Sequence, residues 1–99
     1  MATQDAGRSS GPSSSRALYA ISVAASMVSM EIQNLRVYER RGLLTPDRTS
    51  GGTRLYSADD VDRLERIRDL LADGLNLAGI ARVLELEDEV DALKARLED

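Results

Sequence analysis

The chain has 99 residues, a net charge of −4, and neither cysteine nor histidine. That composition excludes disulfides, thiol redox chemistry, thiolate or imidazole metal sites, and any catalytic arrangement built on Cys or His. The charge is segregated: residues 16–56 hold six arginines against three carboxylates, and residues 57–99 hold six cations against thirteen. The local field, not the total, governs contact with a polyanion, so the acidic balance does not count against one.

In chain order, residues 1–15 are Ser, Gly, Pro and small polar residues with too little apolar surface to offset the entropy of ordering, and a disordered tail is expected there. Tyr19-Ala20-Ile21 reads as a short strand. Ser22 is placed to cap a first helix from Val23 to Val28, with Val23, Met27 and Val28 turned inward. Ser29-Met30 makes a turn, and a second, basic helix runs from about Glu31 to Arg41. Gly42 after two arginines is the expected chemistry of a helix C-terminus. Leu43-Leu44 and Arg54-Leu55-Tyr56 read as the arms of a hairpin whose tip is Ser50-Gly51-Gly52-Thr53.

Beyond the hairpin, Ser57-Ala58-Asp59-Asp60 matches a capping box, with Asp in the place of Glu or Gln. Val61, Leu64, Ile67, Leu70 and Leu71 then recur at helical spacing as far as Gly74. Asn76 caps a fourth helix carrying Ile80, Val83 and Leu84. Leu86, Val90, Leu93 and Leu97 continue as a narrow apolar seam flanked by Glu85, Glu87, Asp88, Glu89 and Asp91. A seam of that kind suits a second helix of the same type, so these four residues are expected to form a short dimerisation coiled coil, with folding back onto the chain's own core as the alternative. No apolar run approaches the ~20 residues that span a bilayer. A cytoplasmic protein without a cofactor or membrane association is expected.

A basic helix followed at once by a cationic hairpin is the order of elements with which a winged helix-turn-helix meets a duplex. With Leu35 facing in, Gln33, Asn34, Arg36, Val37 and Arg40 can face out. Asn and Gln pair with adenine and Arg with guanine. Arg48 and Arg54 on the two hairpin arms, with the hydroxyls of Thr49, Ser50 and Thr53, suit phosphate oxygens. Tyr38 and Tyr56 can each pack a ring in the core and offer a hydroxyl to the backbone, and for Tyr56 packing is at least as strong a reading. Glu39 reads as a structural partner for a nearby arginine. Without a second carboxylate in a pocket it has no support as a catalytic acid, and no enzymatic activity is expected.

The runs Ile21-Ser22-Val23-Ala24-Ala25, Leu35-Arg36-Val37-Tyr38-Glu39-Arg40-Arg41-Gly42-Leu43-Leu44, Arg48-Thr49-Ser50-Gly51-Gly52, Arg54-Leu55-Tyr56-Ser57 and Asn76-Leu77-Ala78-Gly79-Ile80 resemble the MerR family of bacterial regulators, and within it the heat-shock repressor branch, HspR. The resemblance spans about residues 19–97. It implies that the second helix enters the major groove, that Arg36 and Tyr38 hold the backbone, and that Arg54 touches the flanking groove or phosphates. It also implies a homodimer on a palindromic operator, with a chaperone or RNA polymerase as candidate further partners. The chain departs from the family pattern where Gly is common near Ser29, where Pro is common near Ile32, and where Val37 replaces a second aromatic.

The expected architecture is mainly α with a small β-hairpin wing. Residues 16–84 form a winged helix-turn-helix, followed at 85–99 by the dimerisation helix. The expected function is that of a sequence-specific DNA-binding transcriptional regulator, a dimeric repressor by resemblance. Two alternatives stay open: an architectural DNA-bending protein of the excisionase type, and a helical protein-binding adaptor without DNA binding.

Overall fold

Residues 18–98 are described by the computed structural model. In order they form β1 (Leu18–Tyr19), α1 (Ile21–Met27), α2 (Ile32–Arg40), β2 (Asp47–Arg48), β3 (Arg54–Ser57), α3 (Ala58–Ala72) and α4 (Leu77–Glu98). The expected tail at 1–15 lies outside the described residues. The chain divides into two compact units, one ending at Arg66 and the other starting at Ile67.

In the first unit the three strands form one antiparallel sheet in the order β1-β3-β2. Leu18 pairs with Ser57 and Tyr19 with Tyr56, while Asp47 pairs with Leu55 and Arg48 with Arg54. α1 packs against α2, β1 and β3. The core of this unit is Ala24, Ala25, Val28, Leu35, Tyr38, Leu43, Leu44, Tyr56, Val61 and Leu64, each buried.

Helix ends do much to direct the chain. At the end of α2, the Gly42 N–H donates to Glu39 O (2.9 Å) and the Leu43 N–H to Tyr38 O (2.9 Å). This paired closure places Gly42 at φ +78°, where a Cβ is disfavoured. α1 closes with the same pattern, Ser29 N–H to Ser26 O and Met30 N–H to Ala25 O, but the left-handed residue is Ser29 at φ 57°. The capping box at the start of α3 is formed reciprocally: Asp60 N–H donates to Ser57 Oγ (3.0 Å), and Ser57 N–H to Asp60 Oδ2 (2.9 Å).

Four expectations need correction. The first strand is Leu18–Tyr19, and Ile21 already opens α1 with Ala20 as its extended N-cap and no side-chain cap bond, so Ser22 is not the cap. The inward face of α1 is Ala24, Ala25 and Val28. Val23 and Met27 lie outside at 46% exposure each, because small alanines are what permit close approach at a helix contact. The first wing arm is Asp47–Arg48 rather than Leu43-Leu44. Successive strand residues point to opposite faces, whereas Leu43 and Leu44 are both buried, at 3% and 4% exposure, and so anchor the connection between helix and wing. The wing is also extended by β1 into three strands.

In the second unit, α3 ends at Ala72 and is closed by Gly74 (φ +95°), with Gly74 N–H donating to Leu71 O and Leu75 N–H to Leu70 O. Asn76 Oδ1 accepts the Gly79 N–H at 2.8 Å and caps α4. Ile67, Leu70, Ile80 and Leu84 are buried. α4 runs unbroken through the position where the sequence suggested a boundary at residues 84 and 85.

Candidate nucleic-acid interface

α2 is fixed from within by Leu35 and Tyr38, at 0% and 5% exposure. On a helix of 3.6 residues per turn, the face opposite that pair carries residues 33, 36, 37 and 40. Gln33, Arg36 and Arg40 are exposed there, Val37 is half-buried, and Asn34 is exposed on the flank. The three polar side chains offer both hydrogen-bond types needed to read base edges, and Val37 offers an apolar contact for a thymine methyl.

The wing stands beside this helix on a short turn. Thr49 N–H donates to Thr53 O (2.9 Å), and Gly52 N–H returns to Thr49 O (2.9 Å). Gly52 sits at φ +88°, closing a three-residue loop with the left-handed residue such loops require. Thr49 Oγ1 accepts the Thr53 N–H (3.1 Å), which fixes that hydroxyl at the tip with its proton left to donate. Ser50 is exposed at the apex.

Glu39 of α2 joins helix to wing. Its Oε2 accepts from Arg48 Nη2 at 2.6 Å and its Oε1 accepts from Arg54 Nε. Arg48 Nη1 also donates to Gly52 O at 3.1 Å. The Arg54 bond is the main reason the Glu39 carboxyl is held below its usual range. Partial burial opposes that shift and Arg48 reinforces it. Arg54 is correspondingly raised above the ordinary arginine value, chiefly by its bond to Glu39. At the base of the wing, Arg63 Nε of α3 donates to Leu43 O at 2.5 Å.

The structure thus brings together Gln33, Asn34, Arg36, Val37, Arg40, Arg48, Thr49, Ser50 and Arg54 on α2 and the wing. Tyr56 is not part of that surface: it is fully buried, and among the described residues its hydroxyl has no hydrogen-bond partner. Burial raises its pKa, as it does that of Tyr38. Tyr56 lies in the middle strand of the sheet, so its ring fills the core, and the suggested phosphate contact is withdrawn. Tyr38 is likewise a core residue, and the outward role goes to its neighbours on the opposite face. Sequence reasoning gave Glu39 an arginine partner but did not find that it bridges two. It also missed the Arg63 clasp on a backbone carbonyl, which leaves no mark in residue spacing. Among the described residues no group of His, Cys, Asp or Glu is arranged to hold a metal ion, and no helix is long and apolar enough to cross a membrane.

The model of the MerR HTH family of regulatory proteins matches residues 19–87. A Streptomyces coelicolor protein bearing the name heat shock protein HspR is 50% identical over 80 residues, covering 80% of this chain and 53% of that protein. The HTH-type transcriptional regulator GlnR of Bacillus anthracis is 40% identical over 82 residues, covering 82% and 64%. The chain therefore spans about half to two-thirds of the length of these curated relatives. Among solved structures, HiNmlR, a MerR family regulator lacking the sensor domain and bound to promoter DNA, aligns with a TM-score of 0.69 at 27% identity, covering 83% of this chain and 64% of that one. The N-terminal part of MtaN, the Bacillus subtilis multidrug transporter activator, aligns at 0.62 and 27% identity, covering 82% and 88%. The wing, the helix pair and the sequence matches agree: this chain belongs to the MerR HTH family, with the likeness to HspR that its motifs indicated.

Proposed function

We propose that this protein is a sequence-specific DNA-binding transcriptional regulator of the HspR-like type, acting as a dimer at palindromic operators and repressing by promoter occupancy. The observation that carries the reading is the outward face of α2, Gln33, Arg36, Val37 and Arg40, held beside a wing that presents Arg48, Thr49, Ser50 and Arg54. Base contacts from the helix supply sequence preference, and phosphate contacts from arginines and hydroxyls fix register. The promoter-bound state of the HiNmlR structure supports this reading.

Dimerisation is assigned to α4, where Leu86, Val90, Leu93 and Leu97 are exposed at 44%, 46%, 53% and 86%. An apolar row of that exposure on one helix is the surface a second copy covers. In this reading, each protomer's α2 reads one half-site of a two-fold symmetric operator. Selection of duplexes from a random pool tests the proposal. The full chain is expected to enrich an inverted repeat, and Leu93→Asp to sediment as a monomer that enriches nothing. A dimeric Leu93→Asp variant, or enrichment of a non-repeated sequence, contradicts the dimer assignment.

A further inference from the structure

Glu39 and the outward face of α2 belong to one helix, so a side chain that grips the wing from position 39 fixes the wing relative to positions 33, 36, 37 and 40. The grip is two-handed. Arg48 and Arg54 are register partners on adjacent strands, and like charges placed directly opposite repel. One carboxylate accepts from both, using a different oxygen for each. The Arg48 side chain is 45% exposed and that of Arg54 28%, against 18% for Glu39, so the brace lies beneath the arginines it holds. Arg54 uses Nε for Glu39, which leaves the donors of its two terminal nitrogens for an outside acceptor.

We infer that Glu39 is a specificity-determining residue for DNA: by tying both wing arginines to the helix that reads bases, it lets them grip the backbone only in the register that also satisfies α2. The inference rests on the DNA-binding reading above. A braced guanidinium has already lost its rotamer freedom, so a phosphate at the right offset is bound without further ordering. Away from that offset, the same carboxylate repels the nearest phosphates. Both effects widen the gap between matched and unmatched duplexes. Glu39 acts through the arginines and is a positioning residue.

The test compares the wild-type chain with Glu39→Gln and Glu39→Asp on two probes: the duplex enriched by wild type from a random pool, and a scrambled duplex of equal length. Glu39→Gln is expected to shrink the affinity ratio by about threefold to tenfold, the worth of one side chain's ordering. Glu39→Asp keeps the charge but is one methylene too short to span both arginines, and its ratio is expected to fall similarly. A ratio that Gln leaves unchanged overturns the inference, as does one that Asp fully restores, because charge alone would then explain the residue. If neither variant folds, the Arg54 Nε–H resonance of wild type decides. It is expected to stay in its Glu39-bonded state on the enriched duplex, and its release there overturns the inference. Failure of wild type to bind either probe overturns the DNA-binding reading itself, a distinct outcome.

Discussion

Arg48 and Arg54 stand opposite one another across the wing with one carboxylate between them, yet they are not equivalent. Arg48 is tied twice, to Glu39 and to Gly52 O, while Arg54 is tied once. Arg54 therefore keeps more of its donor capacity for phosphate. Arg54→Ala is expected to weaken binding to all duplexes, most of all to the enriched one, and to reduce the slope of log affinity against log salt by about 1, one counterion's worth. Titration at several salt concentrations reads this directly, and an unchanged slope removes Arg54 from the phosphate contacts.

The same cluster makes stability depend on acidity. The Glu39 carboxyl is held below its usual range by the bond from Arg54. A group whose folded-state pKa is depressed contributes stability that is present above its unfolded value, near 4.5, and is lost as pH falls through the folded value. Urea midpoints measured downward from pH 6 are expected to fall more steeply for wild type than for Glu39→Gln. Parallel curves would show that the brace contributes nothing to acid sensitivity.

Ser29 holds a left-handed conformation at φ 57° in the closure of α1, where an L-residue with a Cβ carries a cost of about 1 kcal/mol. Ser29→Gly removes that cost and gives part of it back as unfolded-chain entropy. A net gain of roughly 0.5 kcal/mol is expected, read as a higher denaturant midpoint at unchanged slope. A lower midpoint would mean that the serine hydroxyl contributes more than its backbone costs.

Tyr56 carries a buried hydroxyl with no partner among the described residues. Leaving such a group unsatisfied costs about 1–3 kcal/mol, so Tyr56→Phe is expected to be neutral or stabilising, with duplex affinity unchanged. Its raised pKa, caused first by burial, predicts that wild type loses stability as pH rises past about 10, the ordinary tyrosine value. The Phe variant should lose less. A destabilised Phe variant with weaker DNA binding would return Tyr56 to the interface.

The elements whose signals are local were legible in sequence. The capping box at Ser57 and Asp60, the Asn76 cap, and the glycine closures at Gly42 and Gly74 each depend on a few adjacent residues, and all formed as read. What was misread depends on tertiary context. Leu43-Leu44 has the composition of a strand, but both side chains are needed in the core. Val23 and Met27 are larger apolar residues than the alanines of α1, yet contact with α2 and the sheet selects Ala24 and Ala25. Tyr56 carried two readings in sequence, core packing and a phosphate contact, and its place in the central strand buries it in the core. The outward set on α2 followed from periodicity once Leu35 was placed inside. That Glu39 bridges two arginines did not, since nothing in spacing brings position 39 to positions 48 and 54.

The most direct measurement is a gel shift of the purified chain on the duplex it enriches and on a scrambled duplex, each at low and at moderate salt. Both complexes are expected to weaken as salt rises, with the enriched duplex bound more tightly at each concentration. Equal affinity for the two duplexes, or no shift of either at low salt, would contradict the claim that α2 and the wing form a sequence-reading DNA surface.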